Sequence, residues 1–219
     1  MLELIRLQDQ ELVRRKLNKR EDSIRRLSTV KNLSDEKLVE KIRSEDSELF
    51  AEIIERYQQK LYRYLRYLTN RPSEAEDILQ DVFIKAYRNL LDFNTKKKFS
   101  AWIYRIAHNE GVNFIKRLNR RKEISLQGLG KVDFPANGKN NSLLDGQVRK
   151  EIKEKVKECL DELETKYREP LILYYLEDKQ YREISDILRI STNTVGTLIF
   201  RGKRILKVIC QKKGGDLML

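Results

Sequence analysis

Apolar side chains recur every three or four residues along most of the chain from residue 35 onward. The longest stripe of such residues consists of Leu49, Phe50, Ile53, Ile54, Tyr57, Leu61, Tyr64, Leu65 and Leu68. Steps of three and four place these residues on one face of an α-helix, so the pattern predicts a single long helix. Asn70-Arg71-Pro72 interrupts the stripe and ends that helix.

A second amphipathic helix is predicted to begin at Ser73. Serine with Glu76 three residues later is typical of a capping box, in which each side chain accepts from the other residue's backbone N–H. The side chains expected to be buried are Ala75, Ile78, Leu79, Val82, Phe83, Ala86, Tyr87 and Leu90. A basic loop at Asp92–Lys98 follows, and a third helix is expected from about Ser100 to Lys122.

The pattern changes between residues 123 and 150. Four of the nine glycines and Pro135 lie here among asparagines, which predicts a flexible linker. Fully extended, such a linker spans about 80–90 Å at about 3.3 Å per residue. That length exceeds two turns of duplex DNA at about 34–36 Å each, so two modules could reach separate DNA sites.

Helical periodicity resumes near Glu151 and continues almost to the end. One stripe contains Val156, Leu160 and Leu163, and a second follows Pro170, a residue tolerated in the first turn of a helix. No strand alternation or internal repeat is present. The sequence therefore predicts an all-α protein: two small helical domains, at 34–122 and 151–213, joined by the flexible linker 123–150.

Residues 1–33 form a basic N-terminal extension in this scheme. They carry nine Lys/Arg against five Asp/Glu, and their apolar residues keep no sustained heptad. We interpret the segment as a loosely helical arm. A start codon assigned too far upstream is an alternative explanation, because an untranslated extension would also lack a coherent pattern.

Composition narrows the class of protein. The chain has 40% apolar and 37% charged residues, and a formal net charge of +12. Such a surplus favours an anionic partner, either nucleic acid or an acidic membrane surface. No apolar run is long enough to span a bilayer, and the N-terminus lacks a signal peptide's apolar core, so a cytoplasmic protein is expected.

The few cysteine and histidine residues are widely dispersed. Cys159 and Cys210 have no CxxC spacing and are expected to be reduced helical residues. His108 is the single histidine, and a packed or surface role is expected for it. No metal site, no cofactor and no set of catalytic residues is predicted, so the chain is expected not to be an enzyme.

The segment Tyr181–Phe200 fits a helix-turn-helix. Ile184, Ile187 and Leu188 provide the inner side of the first helix, and Val195, Leu198 and Ile199 that of the second. Ser185 is the small residue expected where the helices cross. Arg189 stands at the turn position that is usually glycine, so a left-handed backbone there would carry part of the ~1–2 kcal/mol penalty, or a different turn would replace it.

The second helix of this motif presents a polar N-terminus. Short hydroxyl and amide side chains there can reach phosphates and base edges: Ser191, Thr192, Asn193, Thr194 and Thr197. From Ser191 to Lys213 the chain has six basic residues and no acidic one. A solvated basic helix in a bundle is the alternative interpretation.

The helix after the basic loop carries a second polar stripe. Its members recur at steps of three and four: Trp102, Arg105, Asn109, Asn113, Lys116 and Arg120. Aromatic surfaces for base stacking and cations for the backbone are typical of proteins that bind single-stranded nucleic acid. Lys96, Lys97 and Lys98 precede the stripe as another cationic patch. A partly buried Trp102 on an ordinary solvated face is the alternative.

Three segments resemble region 2 of bacterial sigma factors: LFAEIIERYQQKLYRYL (Leu49–Leu65), AEDILQDVFIKAYRNL (Ala75–Leu90) and FSAWIYRIAHN (Phe99–Asn109). The segment Cys159–Val195 is similar to region 4. With only these two regions, the chain resembles the extracytoplasmic-function (ECF) subgroup. The resemblance covers about residues 34–122 and 151–210, and its AED-x-x-QD-x-F core is the most specific part.

The resemblance implies a function and partners. A protein of this family would bind core RNA polymerase, through its largest and second-largest subunits, and direct promoter-specific initiation of transcription. Region 2 would melt and read the −10 element and region 4 would read the −35 element. An anti-sigma factor is a further partner that the sequence leaves open.

The resemblance also assigns residues to these roles. Core polymerase would contact the solvent face of the second region 2 helix, at Glu76, Asp77, Gln80, Asp81, Ile84 and Arg88. The −10 element would contact Lys96, Lys97, Lys98, Trp102, Arg105, Asn109, Asn113, Lys116, Arg117 and Arg120. The −35 element would contact Arg182, Ser191, Thr192, Asn193, Thr194, Thr197, Arg201, Lys203 and Arg204.

The chain departs from the family pattern in the recognition helix. The usual Thr-Val-Lys-Ser-Arg run is replaced by residues 194–199, TVGTLI, in which Gly196 costs about 1 kcal/mol of helix propensity. Asn113 stands where the family often has an acidic residue. The sequence therefore leaves the −35 sequence that is read undetermined.

Two other functions compete with this interpretation. A free-standing DNA-binding regulator would use only the C-terminal motif and would leave the region 2 helices unexplained. An enzyme acting on DNA, such as a recombinase with a helix-turn-helix tail, needs a nucleophile and an arginine cluster in one pocket. The sequence offers no such set.

Overall fold

The computed structural model describes residues 30–126 and 158–213, with the side chains of all of these except 121–126. The helices have the following bounds: α1 Asp35–Ser44, α2 Phe50–Thr69, α3 Pro72–Arg88, α4 Phe99–Leu126, α5 Thr165–Leu171, α6 Tyr181–Leu188 and α7 Thr192–Lys212. Within these two ranges there is no β-strand, which confirms the all-α prediction. Most of the predicted N-terminal extension and linker, and the first residues of the second predicted domain, lie outside the described residues.

Two predicted helix boundaries differ from the structure. The helix α3 begins at Pro72, so Ser73 lies inside its first turn and the predicted capping box is wrong. Proline suits the first helical position because its fixed φ fits the helix and its missing N–H has no partner to lose there. The second difference is at the C-terminal end of α4, which continues to Leu126, four residues beyond the expected end at Lys122.

The chain divides into two compact units, and the first contains residues 30–57 and 87–99 of the described part. Its core consists mainly of aliphatic and aromatic side chains: Val30, Leu38, Val39, Ile42, Leu49, Phe50, Ile53, Tyr57, Leu90, Phe93 and Phe99. The Phe99 ring contacts those of Tyr57 and Phe93 edge-on, with centroids 5.6 and 5.4 Å apart. Such geometry is the favourable one for aromatic pairs.

Two arginines of this first unit, Arg56 and Arg43, donate hydrogen bonds to several backbone carbonyls. The Arg56 guanidinium lies 2.8 Å from carboxylate oxygens of both Asp35 and Glu52. It also donates to the carbonyls of Val30, Lys31 and Leu33, which satisfies backbone acceptors before α1. Arg43 donates in the same way to carbonyls of Leu90 and Phe93.

The second unit contains residues 58–86, 100–126 and 158–213 of the described part. One layer of its core comes from α2, α3 and α4, through Leu61, Tyr64, Leu65, Leu68, Ala75, Ile78, Val82, Ala86, Ile103, Tyr104 and Ala107. A Cβ at Gly111 would lie 2.6 Å from Leu68 Cδ2, so glycine permits the close approach of α4 to α2. The remaining core comes from the helices of residues 158–213.

The helices α5 and α7 pack together around a second glycine. A Cβ at Gly202 would lie 3.1 Å from Leu171 Cδ1 and 3.3 Å from the Tyr167 carbonyl. Pro170 is the sixth residue of α5, so its predicted place in a first turn is wrong. A π-helical turn at Ile172–Leu176 follows it directly. Proline has no backbone N–H and crowds the carbonyl four residues earlier, so Pro170 removes one hydrogen bond from within α5.

The two cysteines form a disulfide. Cys159 and Cys210 are both buried and their Cα atoms lie 5.5 Å apart. The expectation of two separate reduced residues was therefore wrong, because the fold brings together positions 51 residues apart in sequence. The bond joins the helical residues 158–162 to the last turns of α7. Lys213 adds an ion pair to Glu162 (2.7 Å) at the same place.

Candidate functional site

The helices α6 and α7 form the predicted helix-turn-helix. Ile184 and Ile187 of α6 and Val195 and Ile199 of α7 are buried. The turn between the helices contains Arg189 in the left-handed region (φ 56°, ψ 43°), as expected for a position that glycine usually occupies. Ser185 fixes the turn, since its hydroxyl donates to the Ile190 carbonyl (2.6 Å).

The first turn of α7 presents polar groups to solvent. Ser191 caps the helix by accepting from the Thr194 backbone N–H (3.1 Å), which leaves neighbouring backbone N–H groups directed outward. No acidic residue lies in this first turn. Anionic oxygens bind favourably at such a helix end.

Most of the predicted −35 residues are exposed, Arg182 on α6 and the others at the start of α7 or along it. The exposed members are Arg182, Ser191, Thr192, Asn193, Thr194, Thr197, Arg201 and Arg204. Lys203 is the exception, because it is partly buried and its Nζ lies 5.6 Å from the centroid of the Tyr175 ring. Its cation is therefore directed toward the aromatic ring.

Sequence reasoning missed Phe200 on the same face. Phe200 is 63% exposed, more than the other exposed apolar residues of α7, Ile205 and Val208, and the Arg204 guanidinium carbon lies 6.0 Å from its ring centroid. Phe200 follows Asn193 by seven residues, which is two helical turns. That spacing was the signal that could have placed it beside the predicted polar contacts.

The polar stripe on α4 divides into two parts. Its C-terminal members Asn109, Asn113, Lys116, Arg117 and Arg120 are exposed, as is the preceding set Lys96, Lys97 and Lys98. Trp102 and Arg105, toward the N-terminal end of α4, are partly buried. Arg105 donates through Nε (2.9 Å) and Nη2 (2.6 Å) to the Asp186 carbonyl of α6.

The outward face of α3 is acidic with an apolar centre. All six residues expected to contact core polymerase are exposed: Glu76, Asp77, Gln80, Asp81, Ile84 and Arg88. Ile84 is 48% exposed, and so is Tyr87, whose predicted burial is wrong. Tyr87 instead contacts the ring of Phe50 edge-on at a centroid distance of 5.1 Å, so one side of its ring is covered. An apolar contact ringed by charges is typical of protein interfaces.

Two buried glutamates of the second unit, Glu169 and Glu177, were not singled out from the sequence. Glu169 accepts from the Tyr64 hydroxyl, and its Oε1 lies 2.6 Å from His108 Nδ1. Glu177 accepts from the Tyr104 hydroxyl at 2.6 Å. It also accepts from Arg63 Nε at 2.7 Å.

These pairings explain how charges are tolerated inside the unit. Buried carboxylates need hydrogen-bond donors, and both glutamates have them. Glu177 also has the Arg63 guanidinium as a positive partner. The hydrogen bond to Glu177 raises the pKa of Arg63, and burial above all raises the pKa of Tyr64. His108 has the packed role expected for it, with Glu169 as its partner.

Two models of known families match the chain. The model of Sigma-70 region 2 matches residues 53–121, and that of Sigma-70, region 4 matches residues 153–206. The first therefore includes α4 with its polar stripe, and the second includes the helix-turn-helix. Together they account for more than half of the chain. Among the described residues, no helix has the length and apolar character needed to cross a membrane.

Curated relatives and solved structures agree with these matches. The chain is 31% identical to the ECF RNA polymerase sigma factor SigW of Bacillus subtilis, over 78% of this chain and 94% of the relative. It is 28% identical to the ECF RNA polymerase sigma-E factor of Escherichia coli K12, over 80% of this chain and 93% of the relative.

The fold is also that of solved sigma factor structures. Bartonella quintana RpoE, solved with the anti-sigma factor NepR, is 21% identical with a TM-score of 0.60, over 74% of this chain and 96% of that one. CnrH, solved with the cytosolic domain of CnrY, is 21% identical with a TM-score of 0.61, over 81% of this chain and 97% of that one. The helix-turn-helix, the two family models and the relatives lead to one conclusion: the chain belongs to the sigma-70 family, as an ECF sigma factor that directs promoter-specific initiation of transcription by RNA polymerase.

Proposed function

We propose that three exposed faces of the protein each bind a different partner during initiation of transcription. The outward face of α3 binds core polymerase, the stripe on α4 with Lys96–Lys98 binds the melted −10 element, and the exposed face of α7 reads the −35 element. One observation carries this division. The exposed face of α3 contains Glu76, Asp77 and Asp81, whereas the exposed faces of α4 and α7 are cationic and polar.

The cationic faces of α4 and α7 suit a partner that carries phosphates, as DNA does. Lysine and arginine that neutralise phosphates release counterions, which supplies much of the affinity of proteins for DNA. The acidic face of α3 would be repelled by phosphates, so a protein partner suits it better. Ile84 gives that partner an apolar contact of the kind found at the centre of interfaces.

The division implies domain bounds. We propose region 2 at 34–122, a linker at 123–150, region 4 at 151–213 and an extension at 1–33. The first four residues of this proposed linker, 123–126, are helical and extend α4 by one turn. Such a protein acts as a non-catalytic subunit beside polymerase in the cytoplasm, where the polymerase and its promoters lie.

An anti-sigma protein belongs among the proposed partners. The neighbour from Bartonella quintana was solved with the anti-sigma factor NepR, and CnrH with the cytosolic domain of CnrY. The similarity of fold supports a corresponding partner for this chain. Copurification with a membrane-anchored or soluble protein that inhibits transcription in vitro would test it.

Reconstituted transcription tests the division of work. Core polymerase and the purified chain would first select promoters from fragmented genomic DNA of the source organism. Deoxyribonuclease and permanganate footprints would then locate the protected and melted bases. Alanine at Asn113 and Lys116 should reduce melting and leave upstream protection, whereas alanine at Thr197 and Arg201 should reduce upstream protection. The same footprint for both pairs would contradict the proposal.

A further inference from the structure

The disulfide lies at the C-terminal end of α7, away from the polar first turn of that helix. The buried residues of α7 are Val195, Ile199, Gly202, Leu206 and Cys210, so Cys210 is the last member of the stripe that packs inward. At 1.5 Å per residue, Cys210 lies about 24 Å from Thr194 along the helix axis. The state of the bond can therefore change without blocking the residues at the start of α7.

The bond attaches the last turns of α7 to the short helix of residues 158–162. Cys159 is 1% exposed and Cys210 is fully buried. Polar links between the same two segments come from Lys213, which pairs with Glu162 (2.7 Å) and donates to the Glu158 carbonyl (3.4 Å). These links are exposed to solvent, where ion pairs add little stability. The covalent bond is therefore the firmer attachment of this end of α7.

A disulfide is unexpected in the cytoplasm, where the proposed function places this protein. Thiol pools there keep most cysteines reduced, and the disulfides that do form in cytoplasmic proteins are usually transient and catalytic or redox-sensing. Cys210 lies two residues before the end of α7 at Lys212. Because helix ends open at a lower free-energy cost than the whole fold, fraying of the last turn exposes Cys210 to small reagents. The bond can thus form and break without global unfolding.

We propose that Cys159 and Cys210 form a reversible redox site, and that its oxidation by a low-molecular-weight disulfide strengthens the binding of region 4 to the −35 element. The inference rests on the proposed role of α7. One protein thiolate attacks the small disulfide and releases one small thiol, which leaves a mixed disulfide. The second protein thiolate attacks the protein sulfur of that mixed disulfide and releases the second small thiol. Two protein thiols are oxidised, one small disulfide is reduced, and the two thiol protons pass to the released thiolates.

Region 4 is small enough for one bond to change the fraction of it that is folded. A domain of about 60 residues buries a smaller share of its surface than a larger domain does, and its stability is correspondingly marginal. A bond between positions 51 residues apart restricts the unfolded chain much more than the folded one. Oxidation therefore raises the fraction of region 4 that can bind DNA, and the apparent affinity rises with that fraction.

Equilibration of the full chain with mixtures of reduced and oxidised glutathione tests the redox site. Free thiols are trapped with a maleimide of known mass and counted by mass spectrometry of the intact protein. We expect one transition between the two thiols of the chain and none, with the same midpoint whether the titration starts from oxidised or reduced protein. A bond that the most reducing mixture leaves intact in the native protein, or thiols that the most oxidising mixture leaves unpaired, would overturn the redox site.

Binding of the reconstituted holoenzyme to its selected promoters tests the consequence for DNA. Oxidised wild type should bind roughly threefold or more tightly than reduced wild type, and upstream protection from deoxyribonuclease should increase with the same midpoint as the thiol titration. A promoter fragment whose upstream element has been replaced should bind both forms equally. Cys159→Ala and Cys210→Ala each remove the bond and keep one thiol, so both variants should bind like reduced wild type in either buffer.

Two results would overturn the coupling between the bond and DNA. The first is equal promoter affinity of oxidised and reduced wild type, a comparison that needs no variant. The second is a redox response that persists in both alanine variants, because it would originate outside this pair of cysteines. Failure of the proposed function would appear separately, as upstream protection that is absent in both redox states.

Discussion

The ring centroids of Tyr64 and Tyr104 lie 5.4 Å apart, and the two hydroxyls reach different buried carboxylates. Tyr64 donates to Glu169, and Tyr104 donates to Glu177. The pair therefore brings apolar rings to the contact between α2 and α4 and polar groups to the contact with region 4. Tyr64 can donate this hydrogen bond only while its hydroxyl keeps the proton.

Stability should fall at alkaline pH because of Tyr64. Burial and the nearby Glu169 raise the pKa of Tyr64 well above its usual value of about 10. Its contribution is complete below about pH 10, where both folded and unfolded chains keep the proton, and is lost as pH rises further. Above that pH the folded protein binds one more proton than the unfolded chain does, so this residue adds a slope of about −1.4 kcal/mol per pH unit.

Urea unfolding of wild type and Tyr64→Phe on both sides of pH 10 checks this slope. The phenylalanine variant should lose stability less steeply with pH, even though it is less stable near neutrality. Tyr175→Phe, at an exposed position, provides the control and should follow the wild-type slope. Parallel curves for Tyr64→Phe and wild type would contradict the buried, neutral phenol.

Two glycines of α7 should respond in opposite ways to alanine. A Cβ at Gly196 would meet the Tyr181 ring at an ordinary 3.4 Å, so Gly196→Ala should stabilise the helix by about 1 kcal/mol. At Gly202 the new Cβ would lie 3.1 Å from Leu171 Cδ1, and we expect the variant to lose about 1–3 kcal/mol by overpacking. Thermal unfolding followed by circular dichroism measures whether the Tm of each variant rises or falls relative to wild type. A higher Tm for Gly202→Ala would contradict the close packing of α5 and α7.

The disulfide should stabilise region 4. A bond between positions 51 residues apart restricts the unfolded chain, and its loss should cost about 2–4 kcal/mol. Unfolding with and without dithiothreitol measures this difference. Cys210→Ser should resemble the reduced wild type and should not respond to dithiothreitol. If dithiothreitol lowered the stability of Cys210→Ser and wild type equally, its effect would not come from the Cys159–Cys210 disulfide.

The exposed face of α7 should contact phosphates through Arg201. We expect Arg201→Ala to weaken binding of the polymerase holoenzyme to promoter DNA and to flatten the salt dependence by about one unit of slope. Lys212→Ala removes an exposed cation three turns farther along the same helix and should leave the slope unchanged. Filter binding over a range of salt concentrations measures the slope for each variant. An unchanged slope for Arg201→Ala would exclude the phosphate contact.

Local pattern predicted the helices well and their boundaries less well. The apolar stripe from Leu49 to Leu68 gave α2, and of the two turns that the sequence left open at Arg189 the structure has the left-handed one. Near Pro72 two start signals competed, and the preference of proline for the first helical position prevailed over the capping pattern of Ser73. Tyr87 was placed in the core because its spacing fits the buried stripe, but it lies at the edge of that stripe, half-exposed.

Contacts between distant positions were beyond the reach of sequence periodicity. Glu177 lies 114 residues from Arg63, and nothing in either local pattern relates them. The same holds for Cys159 and Cys210, whose spacing lacks a metal-binding or redox motif. Periodicity reports which face of a helix is buried, but the partner of a polar group depends on how helices pack.

The affinity of Asp81→Arg for core RNA polymerase tests the proposed division of faces most directly. Asp81 is exposed on the acidic face of α3, three residues before Ile84, and Glu55→Arg makes the same change of charge at an exposed position on α2. We expect the dissociation constant for core polymerase to rise about tenfold or more with Asp81→Arg, and to remain near the wild-type value with Glu55→Arg. The helical circular dichroism of both variants should match the wild type. Wild-type affinity in a fully helical Asp81→Arg protein would contradict the assignment of α3 to polymerase.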